Sequence, residues 1–121
     1  MDLHDQRYIV GIDLGTTNSA VAYVDLQSEA DHRLAEIFHI PQLTGPGEIT
    51  SLAVLPSFLY IPGKYDIAKE ALTTPWQSPV DNFAGAFARD HGAKVPARLV
   101  ASAKSWMCHS KADRRSKILP W

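Results

Sequence analysis

The sequence predicts a mixed fold with strands first and helices after, an α+β unit or one half of an α/β fold. Two observations carry this. Short β-branched runs separated by turn residues fill the first part of the chain, whereas apolar positions after residue 65 shift towards helical spacing. The chain has 121 residues, 45% hydrophobic and 21% charged, enough for one core of its own. At roughly 150 residues per domain it leaves little room for two lobes facing each other across a cleft.

Tyr8 to Ile12, ending in Asp13, has the length and β-branched content of a buried strand. Gly15-Thr16-Thr17-Asn18 supplies a turn, and Ser19 to Asp25 resumes as a second strand, so residues 8–25 read as a hairpin. Leu34 to Ile40 adds a third strand and completes a small meander. Pro41 to Glu48 is dense in Pro and Gly and reads as a loop. Residues 53–61 read as a strand with Pro56 at an edge or bulge. Three helices are expected after it, over about 66–73, 79–90 with Gly92 as its stop, and 96–107. The chain divides into a β-meander over about 1–40 and a strand plus helices over about 41–121.

Charge and cysteine content narrow the function classes. The net charge is -1. Residues 1–95 carry six basic and twelve acidic side chains, whereas 96–121 carry six basic and one acidic. A neutral total argues against a protein that coats nucleic acid, and the basic end reads as a solvated surface, with a phosphate-facing one as the alternative. The most apolar stretch, Leu52 to Ile61, is broken by Pro56 and is about half of the roughly twenty residues a bilayer span needs. The acidic start lacks the order of a signal peptide, and Cys108 has no internal disulfide partner, which together fit a cytoplasmic protein. The five histidines are scattered without metal-ligand spacing. The apolar tail Ile118 to Trp121 reads as a segment that packs onto something.

Chemistry concentrates in Gly11 to Ser19. A strand delivers the Asp13 carboxylate to its end, and Gly15 can take positive φ in the turn that follows. Successive backbone N–H groups of such a turn converge on an anion, and Thr16 and Thr17 add two hydroxyls. A carboxylate beside phosphate implies a cation between them, here Mg²⁺ held through water. Together these groups describe a grip on the β- and γ-phosphates of Mg-ATP. The segment is neither a Walker P-loop nor a Gly-x-Gly-x-x-Gly turn. An ordinary hairpin built from turn-forming residues is the alternative.

Ile12-Asp13-Leu14-Gly15-Thr16-Thr17-Asn18-Ser19-Ala20-Val21-Ala22 resembles the first phosphate-binding hairpin of the seventy-kilodalton heat-shock chaperones (DnaK-type). Ile49 to Ile61 is similar to that family's Thr-Pro-Ser-containing strand, and Asp66 to Ala71 to the helix that follows it. Ala103-Lys104-Ser105 falls where the family carries an Ala-Lys-Arg stretch. The resemblance implies the amino-terminal portion of an actin-like, ribonuclease-H-like ATPase fold. It implies ATP or ADP with Mg²⁺ as cofactors, Asp13 holding the metal through water, and Gly15, Thr16, Thr17 and Asn18 around the phosphates. It implies Lys104 as the catalytic lysine near the γ-phosphate. The implied partners are the remainder of the ATPase domain, a peptide-binding domain, co-chaperones and unfolded peptide clients, with neither nucleic acid nor membrane. The chain departs from the family at Ser105 and at Trp106-Met107-Cys108. With one phosphate-binding hairpin, the chain alone is expected not to hydrolyse ATP. A sugar or carboxylate kinase of the same superfamily, or a non-catalytic interaction module, are the rival readings.

Overall fold

The computed structural model describes residues 5–77, 81–113 and 115–116. The strands in chain order are β1 (Tyr8–Leu14), β2 (Asn18–Asp25), β3 (Glu36–Phe38), β4 (Ile40–Gly45), β5 (Glu48–Leu52), β6 (Leu55–Pro56), β7 (Phe58–Tyr60), β8 (Phe83–Ala84) and β9 (Leu99–Ala101). Two short α-helices are present among the described residues, α1 (Ala86–Gly92) and α2 (Ala103–Met107). The architecture is mixed α+β, with antiparallel pairing throughout the three sheets. No helix among the described residues is long and apolar enough to cross a membrane.

The expected meander is present. β1 and β2 pair without a bulge from Tyr8 opposite Asp25 to Leu14 opposite Ser19, and β3 joins the far side of β2. Alternation puts Tyr8, Val10, Ile12 and Leu14 on one face and Ile9, Gly11 and Asp13 on the other. β6 pairs with the start of β2, Asn18 opposite Pro56 and Ser19 opposite Leu55.

Five segments differ from expectation. The segment read as a loop over 41–48 belongs mostly to the β4–β5 hairpin, in which Pro46-Gly47 is the turn and Pro41 pairs opposite Ser51. Dense Pro and Gly hid alternating Gln42, Leu43, Thr44 and Ile49, Thr50. The strand read over 53–61 is split at Ser57, β6 lying in the first sheet and β7 in the third. The helix read over 66–73 shrinks to a 3-10 turn at Lys69–Leu72. There the Ala71 carbonyl accepts from Gly47 N–H at 2.8 Å, so the carbonyl is taken by a tertiary contact.

The helix read over 79–90 begins only at Ala86; residues 78–80 lie outside the described ones. Gly85 has φ +100, and Phe83–Ala84 before it is recruited as a strand by β7. A Cβ at Gly85 would lie 2.6 Å from Gln42 Oε1 and 2.7 Å from Leu55 Cδ1. Gln42, buried on β4, accepts from Ala86 N–H at 2.9 Å and donates to the Val54 carbonyl at 2.9 Å. Its side chain thus caps α1 from another element. Gly92, expected as the stop, is the last residue of α1. The helix read over 96–107 becomes a 3-10 turn at Pro96–Arg98, strand β9 and α2. Ser102, with φ 55, makes the break between β9 and α2. Ile118 to Trp121 lie outside the described residues.

The core lies under the third sheet, whose order is β8-β7-β9. Leu43, Tyr60, Leu72, Phe83, Phe87 and Ala88 form it. Phe83 and Phe87 stack with ring centroids 4.9 Å apart, and Tyr60 lies tilted against Phe83 at 5.5 Å.

Candidate phosphate-binding turn

The turn between β1 and β2 is held from outside by residues far along the chain. Ser57, at the crossing between the first and third sheets, donates its Oγ hydrogen to the Gly15 carbonyl at 2.8 Å. Its backbone N–H donates to the Thr17 carbonyl, also at 2.8 Å. Ser57 Oγ lies 3.3 Å from Ser19 Oγ as well. Lys104 reaches across from α2 and donates from Nζ to the Leu14 carbonyl at 2.9 Å. Two separate elements therefore converge on one turn.

Gly15 is required for a reason other than the expected one. Its φ is not positive; among the described residues only Gly47, Gly85 and Ser102 have that conformation. The requirement is close approach, because a Cβ on Gly15 would lie 2.0 Å from the Asn18 carbonyl oxygen. Any side chain would force the turn open.

The residues singled out from sequence are brought together in part. Asp13, Thr16, Thr17 and Asn18 are exposed at the end of the hairpin. The Asp13 carboxylate and the Thr16 and Thr17 hydroxyls have no hydrogen-bond or ion-pair partner among the described residues. Asp13 pairs opposite Ala20, so alternation places it on the face away from Leu14 and Ser19. On the Leu14 side a cleft of about 500 Å³ opens between the hairpin and the third sheet. Gly15, Ser19, Ser57 and Lys104 supply its polar lining, and Leu55, Phe58, Ile61 and Val100 part of its apolar wall. Lys104 and Gly15 thus meet in this cleft, while Asp13 faces elsewhere.

Ser57 was not among the candidates from sequence. Pro-Ser in an apolar run is a weak signal, and the role depends on a crossing between sheets that local pattern does not encode. A second polar cluster was also missed. Tyr60 donates from its hydroxyl to Asp66 Oδ2, and His91 Nε2 lies 2.9 Å from Asp66 Oδ1. The His91 ring meets Tyr60 edge-on at 4.9 Å. Burial, with the hydrogen bond to Asp66, pushes the Tyr60 hydroxyl up to about 12. Burial alone would raise Asp66, but the hydrogen bonds with Tyr60 and His91 outweigh it and hold the carboxyl below its ordinary range. This cluster fastens the segment after β7 to α1. No group of three or more His, Cys, Asp or Glu side chains suited to a metal is found among the described residues. Cys108 is exposed.

Comparison of the chain with protein-family models, curated proteins and solved structures finds no match.

Proposed function

We propose that this chain is the amino-terminal, phosphate-binding portion of an actin-like ATPase of the DnaK-type heat-shock family, with Mg-ATP or Mg-ADP as its ligand. The observation that carries the reading is Lys104 Nζ at 2.9 Å from the Leu14 carbonyl, a contact spanning 90 positions of sequence. The family resemblance singled out that lysine independently of any contact with the hairpin. Its ammonium holds the Leu14 carbonyl and so braces the neck of the turn.

The donor set fits the ligand. Asp13 offers an unengaged carboxylate, and Mg²⁺ characteristically takes one or two carboxylates with water and phosphate oxygens. Thr16 and Thr17 offer free hydroxyls beside backbone amides. When bound, the metal would neutralise phosphate charge; Asp13 would hold it through water, and the turn would orient the phosphate chain. Exposed Ile9, Val10, Ile12 and Ile37 on the two faces of the first sheet support a partner that packs there, read here as the remainder of the ATPase domain.

Titration calorimetry tests the reading. With one candidate phosphate-binding turn among the described residues, the chain is expected to bind Mg-ATP no tighter than about millimolar, around 4 kcal/mol. Asp13→Ala or omission of Mg²⁺ should remove the signal. Binding that is indifferent to both would overturn the reading. Steady hydrolysis by the chain alone, abolished by Asp13→Ala, would overturn the claim that it lacks activity by itself.

A further inference from the structure

We infer that Ser57 is a positioning residue that sets the polarity of the β1–β2 turn, turning carbonyls to one side and leaving amides for an anion on the other. The inference rests on the phosphate-binding reading above. Three carbonyls of the segment are claimed from outside: Leu14 by Lys104, Gly15 by the Ser57 hydroxyl, and Thr17 by the Ser57 N–H. A trans peptide is planar, so its C=O and the following N–H point in opposite directions. Drawing the Leu14 and Gly15 carbonyls towards Lys104 and Ser57 therefore turns the Gly15 and Thr16 N–H groups away from them. An anion finds donors only on that far side, and the Asp13 side chain lies on the sheet face away from Leu14.

The placement of Ser57 makes the clamp firm. It is partly buried, follows the buried Pro56, and sits where the chain passes from the first sheet to the third. Pairing of β6 with β2 on one side and of β7 with β8 and β9 on the other fixes its backbone. A pre-set turn does not have to order its peptide groups when the ligand arrives. The hydroxyl acts through the Gly15 peptide and touches no phosphate itself.

The test compares Ser57→Ala, Ser57→Thr and Ser57→Cys in the full chain, using amide NMR with Mg-ATP as the probe and adenosine as a control lacking phosphate. Loss of one hydrogen bond predicts about five- to tenfold weaker Mg-ATP binding in Ser57→Ala. Smaller Mg-ATP-induced shifts of the Gly15 and Thr16 amides should accompany it, with Tyr60 and Phe87 amides unchanged. Thr keeps a donor and should restore both; Cys, a weaker donor of similar size, should lie between. If Ser57→Ala fails to fold, the order Ser, Thr, Cys decides. Equal Mg-ATP affinity across the series, with wild-type binding intact, overturns the role of Ser57 and leaves the phosphate reading standing. No response of wild type to Mg-ATP, or an equal response to adenosine, overturns the phosphate reading and the role with it.

Discussion

The first sheet and the core beneath the third sheet solve the folding problem in opposite ways. In the first sheet, Ile12 and Leu14 are 66% and 68% exposed, and no residue of β1 is buried. Its order comes from the backbone ladder and from cross-strand pairs: Arg7 with Asp25 at 3.1 Å, Tyr23 with Glu36 at 3.1 Å, and Tyr8 edge-on to Tyr23. In the core, Tyr60 and Leu72 are sealed from solvent, and aromatic stacking joins β7, β8 and α1. The difference locates the site. The turn belongs to the weakly packed region, and the groups that hold it, Ser57 and Lys104, come from beside the well-packed one. The well-packed region thereby holds the proposed phosphate-binding turn.

The largest effect should come from breaking the packed side. Phe87→Ala removes a ring stacked on Phe83 and should cost about 3–5 kcal/mol in denaturant unfolding. A cost below about 1 kcal/mol would mean that the two regions do not differ as described. Next comes Gly15→Ala. Its Cβ would collide with the Asn18 carbonyl, so the turn must open, at about 1–3 kcal/mol, and Mg-ATP binding should be lost. Unchanged binding would show that turn geometry does not govern the site.

Acidity probes the link between α1 and the segment after β7. Asp66 is held below its ordinary value of 3.8, so its stabilising contribution is present above that value and is lost as pH falls through the lowered one. Tyr60 is raised from 10.0 to about 12, so its contribution is present below pH 10 and is lost as pH rises through 12. Asp66→Asn should flatten the acid limb of the stability profile; an unaltered limb would assign it to other groups. The smallest effect belongs to the open sheet. Ile12→Ala should change stability by no more than about 0.5 kcal/mol, because the side chain has little contact to lose. A cost like that of Phe87→Ala would show that β1 is covered in solution.

The same division explains what could be read from the sequence. β1, β2 and β3 were legible because β-branched runs separated by Gly-Thr-Thr-Asn and by a polar stretch leave few alternatives. Residues 81–107 were legible only in part, at α1 and α2. The spacing that suggested helices, Phe83 with Phe87 and Leu99 with Ala103, instead spreads these residues over short strands recruited by β7 and the helices that follow them. Gln42 capping α1 and Ala71 bonding Gly47 are likewise tertiary choices that no local window contains. In the candidate site, Asp13 to Asn18 stood out by type and spacing. Ser57 did not, because one hydroxyl gains meaning only from the crossing that brings it to Gly15.

The central claim is that the β1–β2 turn, braced by Lys104, grips phosphate. Phosphorus NMR of Mg-ATP titrated with the chain tests it most directly. The β and γ resonances are expected to broaden and shift more than the α resonance at about millimolar chain, and Lys104→Ala, which releases the Leu14 carbonyl, is expected to weaken the effect. Equal small changes at all three phosphorus atoms, or spectra identical for wild type and Lys104→Ala, would contradict it.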